Sequence, residues 1–383
     1  KHNGLSYKNT ENDWGYLCAA GKYARYLGLV DPEAFVDRRN PDPHIFNRYD
    51  MHANGPAWGY DLPLWWMPEI EVNLAADIDW TLPKFRLSGY EYSDSLQPYH
   101  IEVWVEKSTM DDVLIPLCRQ YSVNLVTGLG FMSITSVIDL LKRVNKVNKP
   151  CRVFYVSDFD PAGDGMPTAT ARQIEYWLDT YTAEADIKLS HLVLTKEQVE
   201  RYRLPRTPVK DSDKRKANFE ERYGEGAVEL DALEALHPGV LASVTEENIL
   251  RFWDSELQEK MAEARMEAKK ELNAHWQARI GPFQEELDDL KAQVEGIVQK
   301  YQVRLDEMQE ELASELEPYE EKANSLRRVI QDAADGITPN LPELPEPEIE
   351  KDGQNWLFDS HRDYFDQLAA YQAWRNGQAE KAS

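Results

Sequence analysis

Between residues 100 and 194 short β-rich runs alternate with helical patterns of about a dozen residues, and this alternation constrains the fold more than any other feature. His100 to Val105 (HIEVWV), Val123 to Thr127 (VNLVT), Arg152 to Val156 (RVFYV) and Ile187 to Leu194 read as strands. Met110 to Tyr121, Ser133 to Val144 and Thr168 to Tyr181 read as the helices between them. Strands joined through helices run parallel, and the helices return across the faces of the sheet. The spacing therefore predicts an α/β domain over 96–245, with a mainly parallel sheet flanked by helices.

The flanks have other textures. In 1–95, Glu11 to Leu29 carries Trp14, Leu17, Cys18, Ala24 and Leu27 at helical spacing, with Gly28 as a stop signal. Asp37 to Asn54 is rich in Pro, Asn and Asp and reads as irregular, and 56–90 is aromatic and broken by prolines. In 246–337 apolar residues recur from Phe283 to Ile330 at about 3.6 residues per step, the period of an unsupercoiled helix. Gly281-Pro282 interrupts that region, which predicts an antiparallel helical hairpin turning near 281–282, with arms of roughly 50 Å. Pro318 is expected to kink or end the second arm. The arm is either a surface for homo-oligomers or partners, or a solvated protrusion. In 338–383 a Pro/Glu linker precedes an aromatic tail expected to dock as a short helix.

Charge narrows the function classes. Lys plus Arg number 43 against 68 Asp plus Glu, a net of −25. Residues 1–240 hold 27 basic and 36 acidic groups (−9), and 241–383 hold 16 and 32 (−16). A phosphate-binding surface must then be a local basic groove in the front part of the chain. With 42% hydrophobic residues the chain is not disordered as a whole, and no apolar run is long enough to span a bilayer. Cys18, Cys118 and Cys151 are too few and too scattered for a disulfide framework or a CxxC metal site, and read as reduced thiols of a cytoplasmic protein. Lys1 to Thr10 is polar and does not read as a signal peptide.

Two strand ends carry chemistry. Val103-Trp104-Val105 runs into Glu106-Lys107, and Val153 to Val156 runs through Ser157 into Asp158-Phe159-Asp160-Pro161-Ala162-Gly163-Asp164. In a parallel sheet, reactive groups gather at the carboxyl ends of the strands. Carboxylates on adjacent strand ends repel unless a cation joins them, and oxygen ligands suit Mg²⁺, with Mn²⁺ as a substitute. Asp158 and Asp160 point the same way at i and i+2 if the strand persists, and Gly163 permits a tight turn.

The pairing of Glu-Lys after one strand with DxDPxG after another resembles the Toprim domain of topoisomerases, primases and related nucleases. It is most similar to the topoisomerase VI A subunit and its meiotic double-strand-break relatives, whose motifs read roughly VEK and D-x-DP-x-G. That match covers about 100–200, with Gly128-Leu129-Gly130 where the family has its Gly-containing loop. A closer resemblance, over about 5–245, is to uncharacterised bacterial and phage-associated Toprim proteins. The matching stretches are Tyr7, Ala24 to Leu29, Asp37-Arg38-Arg39, Ile101 to Lys107, Asp158 to Met166, Leu194 to Tyr202, Leu204-Pro205, Pro208 to Lys210, Ser212 to Arg215 and Glu229 to Leu233.

The resemblance implies Glu106 as a general acid/base or metal carboxylate, and Asp158 and Asp160 as Mg²⁺ ligands. It implies Asp164 as a further ligand, although Asp164 falls one place earlier than the acid of relatives. Lys107 is expected to meet a phosphate, Lys210, Lys214 and Arg215 to contact the nucleic-acid backbone, and Glu229 or Asp231 to add a late carboxylate. It also implies a winged-helix-like domain, of which 1–95 would hold part, bearing the nucleophilic tyrosine ahead of the Tyr7 stretch. Tyr7, Tyr16, Tyr23 and Tyr26 match no nucleophile motif.

Plainer readings stand beside these. His191 reads as structural. Trp58, Trp65 and Trp66 either stack bases or pack in a core. Arg38, Arg39 and Arg48 either meet phosphate or line a solvated loop. The expected function is Mg²⁺-dependent cleavage of nucleic acid, with DNA implied by the family resemblance, through water as in a nuclease or through tyrosine as in a topoisomerase. The alternative is a non-catalytic structural or regulatory subunit that assembles through its helical arm.

Overall fold

The computed structural model describes residues 8, 10–37, 40–47, 55–67, 79–182, 184–301, 309–349 and 356–375. Tyr7, Arg38, Arg39 and Arg48 lie outside the described residues. Along the chain run α1 (Glu11–Tyr26), β1 (Ala57–Asp61), β2 (Lys84–Ser88), β3 (His100–Val105), α2 (Asp111–Gln120), β4 (Asn124–Thr127), α3 (Ile134–Val147), β5 (Cys151–Val156), α4 (Met166–Tyr181) and β6 (Ile187–Val193). There follow α5 (Lys196–Arg201), α6 (Lys216–Tyr223), α7 (Leu230–Leu236), α8 (Val240–Leu250), α9 (Leu257–Arg279), α10 (Phe283–Tyr301), α11 (Gln309–Asp335), β7 (Phe358–Asp359) and α12 (Tyr364–Arg375). These elements form two compact units, one of residues 1–51, 94–255 and 347–383, the other of 52–93 and 256–346. The segments expected as separate regions at 1–95 and 338–383 are thus each divided between the two units.

The first unit is α/β. Its sheet has the order β4-β3-β5-β6-β7, parallel except for β7, which pairs antiparallel with β6. Period-two alternation along the strands makes two apolar faces. Ile101, Val103 and Val105 of β3 pack with Leu114 of α2, Leu233 of α7 and Leu241 of α8. Trp104, Val153 and Tyr155 face the other way, against Val137 and Leu141 of α3 and Ile174 of α4. The aromatic tail docks as expected, with Tyr371 of α12 in this second core. Both sheet edges are covered, by β7 on one side and by an antiparallel bridge from His44 to Leu125 on the other. α1 follows Thr10, whose side chain accepts from the Asp13 amide, and it ends where Gly28 takes φ +67°.

A buried polar knot lies inside this sheet. Glu102, wholly buried, accepts two bonds from Arg143 (2.7 and 2.9 Å), one from Trp104 Nε1 (2.8 Å) and one from Asn124 Nδ2 (3.3 Å), and it bonds His100 Nε2 at 2.8 Å. Asn124 Oδ1 in turn accepts from the amides of Phe46 (3.0 Å) and Asn47 (2.9 Å), which ties that segment to β4.

The second unit joins the β1–β2 hairpin to α9, α10 and α11. The expected reversal at Gly281-Pro282 is corrected: there a short step with i to i+3 bonds separates α9 from α10. α10 packs instead against α11, and Tyr301 Oη at the end of α10 donates to Glu315 near the start of α11 (2.5 Å). Arg279 at the end of α9 donates to the Gly336 carbonyl (2.7 Å) just beyond α11. α10 is thus about 28 Å long, shorter than the expected arm. α11 continues through the exposed Pro318, which neither ends nor replaces it. The apolar stripe is buried within the unit itself, with Leu287, Leu290 and Val294 against Leu326 and Ile330. Trp58 and Trp65 pack in this unit, Trp58 against Trp276 and Trp65 against Trp80, so these two rings are structural. Trp66 remains exposed.

Among the described residues no helix is long and apolar enough to cross a membrane, and Cys18, Cys118 and Cys151 are free thiols.

Candidate active site

The topology brings the two strand ends together. From β3 the chain builds β4 on one side and then β5 on the other, so the carboxyl ends of β3 and β5 border the crevice where the strand order reverses. Their register pairs Val105 with Val156, and the Glu106 amide extends the ladder to the Val156 carbonyl (3.0 Å). Glu106 and Asp158 are therefore neighbours by construction. The Asp158 amide donates to Glu106 Oε2 at 3.0 Å.

Asp158 is anchored further. Its Oδ1 accepts from the Leu230 amide (2.7 Å), at the start of α7, and from Lys107 Nζ (3.0 Å). Lys107 Nζ also meets Glu229 Oε2 (2.7 Å) and Asp231 Oδ2 (2.8 Å). The ammonium thus sits among three carboxylates, two of them from the Glu229-Leu230-Asp231 segment. These contacts hold the Lys107 proton more tightly than usual. In this structure Lys107, expected to meet a phosphate, has its charge balanced by acids.

Asp160 closes the loop after β5, with Oδ1 accepting the amides of Ala162 (2.8 Å) and Gly163 (2.6 Å). Gly163 is required by space. A Cβ there would lie 2.1 Å from the Asp158 carbonyl oxygen. Ser157 Oγ donates to the Gly163 carbonyl (3.0 Å) and bonds His191 Nε2 (3.0 Å), a structural place for His191, whose pKa burial pushes down to about 4. Gly163→Ala is expected to displace the Asp158 carbonyl and cut any cleavage at least tenfold, with about 2 kcal/mol lost in stability, measurable by assay and denaturant melt.

Electrostatics distinguish the two central acids. Burial, then repulsion from Asp158, pushes Glu106 up to about 7, only partly opposed by the Asp158 amide. Burial pushes Asp158 up to about 6 although Leu230 and Lys107 pull the other way. A carboxyl near 7 is suited to general acid/base work at neutral pH.

The remaining expected residues are placed differently. Asp164, expected as a further ligand, accepts from Arg222 Nη2 (2.7 Å) and Tyr223 Oη (2.9 Å). Arg215 grips Asp213 through Nε (3.0 Å) and Nη2 (2.9 Å), and Lys210 and Lys214 are exposed. Glu106, Asp158 and Asp160 do not converge to within 4.8 Å of one another. Among the described residues the group that does is Asp186, Asp359 and His361, where Arg152 (3.1 Å) and Lys188 (3.6 Å) already pair the two acids. The contributions of Arg222 and Tyr223 left no signal in the sequence. The Leu230 amide was hinted at only by the acids on either side of it.

No protein-family model matches the chain, and comparison with curated proteins finds no match.

Proposed function

We propose that this chain cleaves phosphodiester bonds in nucleic acid, DNA by preference, with Mg²⁺ or Mn²⁺ held by Glu106, Asp158 and Asp160 in a Toprim-type site. The observation that carries the reading is the contact of the half-buried Glu106 with the Asp158 amide at the crevice between β3 and β5, where both acids are pushed toward neutrality. Oxygen donors of this kind are what a hard divalent cation takes, but the three carboxylates stand too far apart in this structure for one ion to reach them all, so binding would have to draw them together. The resemblance of the Glu106-Lys107 and Asp158–Gly163 motifs to Toprim proteins supports the same assignment.

The bound ion would supply Lewis-acid stabilisation of charge on the phosphate oxygens. The chain's own groups do the rest. Glu106, at the end of β3 beside Asp158, is the group placed to take the proton of the attacking hydroxyl or return one to the leaving oxygen. Lys107, held at the rim by Glu229 and Asp231, balances the charge of Asp158. Asp160 fixes the turn through Oδ1. Water is the nucleophile of the hydrolytic form, and a tyrosine that of the covalent form. Assembly through the α10–α11 stripe is the weaker reading, because that stripe is buried within its own unit.

The test is cleavage of supercoiled plasmid by wild type and by Asp158→Ala/Asp160→Ala, with Mg²⁺, Mn²⁺ or EDTA. Metal-dependent nicking lost in the variant is the expected result, and the 5′ ends then distinguish water from tyrosine. A folded wild type that leaves plasmid intact with either metal would sink the proposal for DNA.

A further inference from the structure

Beside the loop from Pro161 to Gly165 lies a cleft of about 1070 Å³ that runs along α4. Its lining reverses the charge of the chain. Lys22, Arg172, Arg215, Arg222 and Arg375 face two acids, Asp164 and Glu221, in a protein with 43 basic and 68 acidic residues. Asp164 is already paired with Arg222 (2.7 Å), while Lys22 and Arg172 are exposed. The first turn of α4 adds no acid and no capping side chain, so no side chain offsets its positive end.

The wall between these cations is aromatic and rigid. Tyr26 stacks on Trp177 with centroids 5.6 Å apart, and Tyr176 meets Tyr26 edge-on at 4.7 Å. The Tyr176 hydroxyl bonds the Tyr26 carbonyl, yet the residue keeps 50% of its surface exposed. A fixed, exposed ring among cations matches a ligand that alternates flat bases with phosphates. From Gly165 to Tyr176 the helix rises about 16 Å, several times the spacing of stacked nucleotides. That length favours a strand over a mononucleotide, and stacking on Tyr176 needs bases that are not paired.

We propose that this cleft binds a single-stranded segment of nucleic acid, with Lys22 and Arg172 on its phosphates and Tyr176 stacked on a base. The inference rests on the cleavage reading for its substrate class, and it places the strand that leads to or from the acids of the Asp158–Gly163 loop.

The experiment is fluorescence anisotropy with a labelled oligothymidylate of about 10 nucleotides, in EDTA and over a salt series. The full chain is compared with Lys22→Ala/Arg172→Ala, Tyr176→Ala and Tyr176→Phe, with Lys269→Ala on α9 as a control for charge alone. Wild type is expected to bind the strand more tightly than the matching duplex. The double variant should lose at least tenfold in affinity and lower the salt slope by about 1.4. Tyr176→Ala should lose about tenfold, while Tyr176→Phe and Lys269→Ala bind as wild type. Equal binding by all variants, competition by a mononucleotide as effective as by the strand, or no binding by folded wild type would each overturn the proposal. Metal-dependent cleavage is scored in parallel. Binding without cleavage removes the cleavage reading and leaves the cleft, whereas cleavage with unaffected variants removes the cleft alone.

Discussion

Glu106→Gln is expected to lower metal-dependent cleavage by about 10²–10⁴-fold while making the metal-free protein more stable at alkaline pH. Both effects have one cause. The folded chain holds Glu106 near 7, against 4.5 for a free glutamate, so the folded state binds the extra proton. Where the folded state binds more protons, stability falls as pH rises. The contribution is fully present below about 4.5 and lost as pH rises through about 7. Asp158, raised from 3.8 to about 6, adds a loss of the same sign at slightly lower pH. Glutamine can still accept the Asp158 amide but never ionises, so the variant should melt higher above neutrality and match wild type in mild acid. Denaturant melts across that pH range read the difference. A variant that is both inactive and less stable at alkaline pH would mean that Glu106 is a structural acid.

Glu102→Ala has the opposite sign and a larger effect on folding. Burial by itself would favour protonation of Glu102, but Arg143 and His100 outweigh it and hold the carboxyl well below the usual carboxylate range. A folded pKa below the unfolded one gives stability that is present above about 4.5 and lost as pH falls. Removal of the carboxylate takes away the acceptor that Arg143, Trp104 Nε1 and Asn124 Nδ2 share in the interior. Breaking a buried pair in this way costs about 3–5 kcal/mol. Chemical denaturation at neutral pH should show that loss, and the gap between variant and wild type should narrow in acid. A loss below about 1 kcal/mol would mean that water relieves the orphaned groups.

The strands of the α/β unit were legible because each is a short β-rich run bounded by helical periodicity. HIEVWV and RVFYV became β3 and β5, and their pairing put Glu106 beside Asp158. The reversal of the helical region was not legible. Gly281-Pro282 has the composition of a turn, but Pro282 stands at the entrance to α10, and a Cβ on Gly281 would lie 2.5 Å from the Gln277 carbonyl, so the chain merely steps there. α10 and α11 pack against each other although one unbroken apolar stripe runs through both in the sequence, so periodicity gives no mark of their pairing. Lys107 shows a second limit. Its partners Glu229 and Asp231 lie far along the chain, and a lysine after a strand carries no sign of whether acids or a phosphate will meet it. The cleft along α4 is likewise assembled from α1, α4, α6 and the chain's end, so no stretch of sequence announces it.

The central claim is that the acids at the ends of β3 and β5 bind the ion used in cleavage. Calorimetric titration of the metal-free protein with Mn²⁺ tests it most directly, with wild type, Glu106→Gln and Asp158→Asn measured above neutrality and in mild acid. The account predicts one binding event in wild type that weakens as pH falls through 7 and 6, where Glu106 and Asp158 take up protons, and that is lost in both variants. Binding that is unchanged in the variants, or a folded wild type that binds no ion, would contradict it.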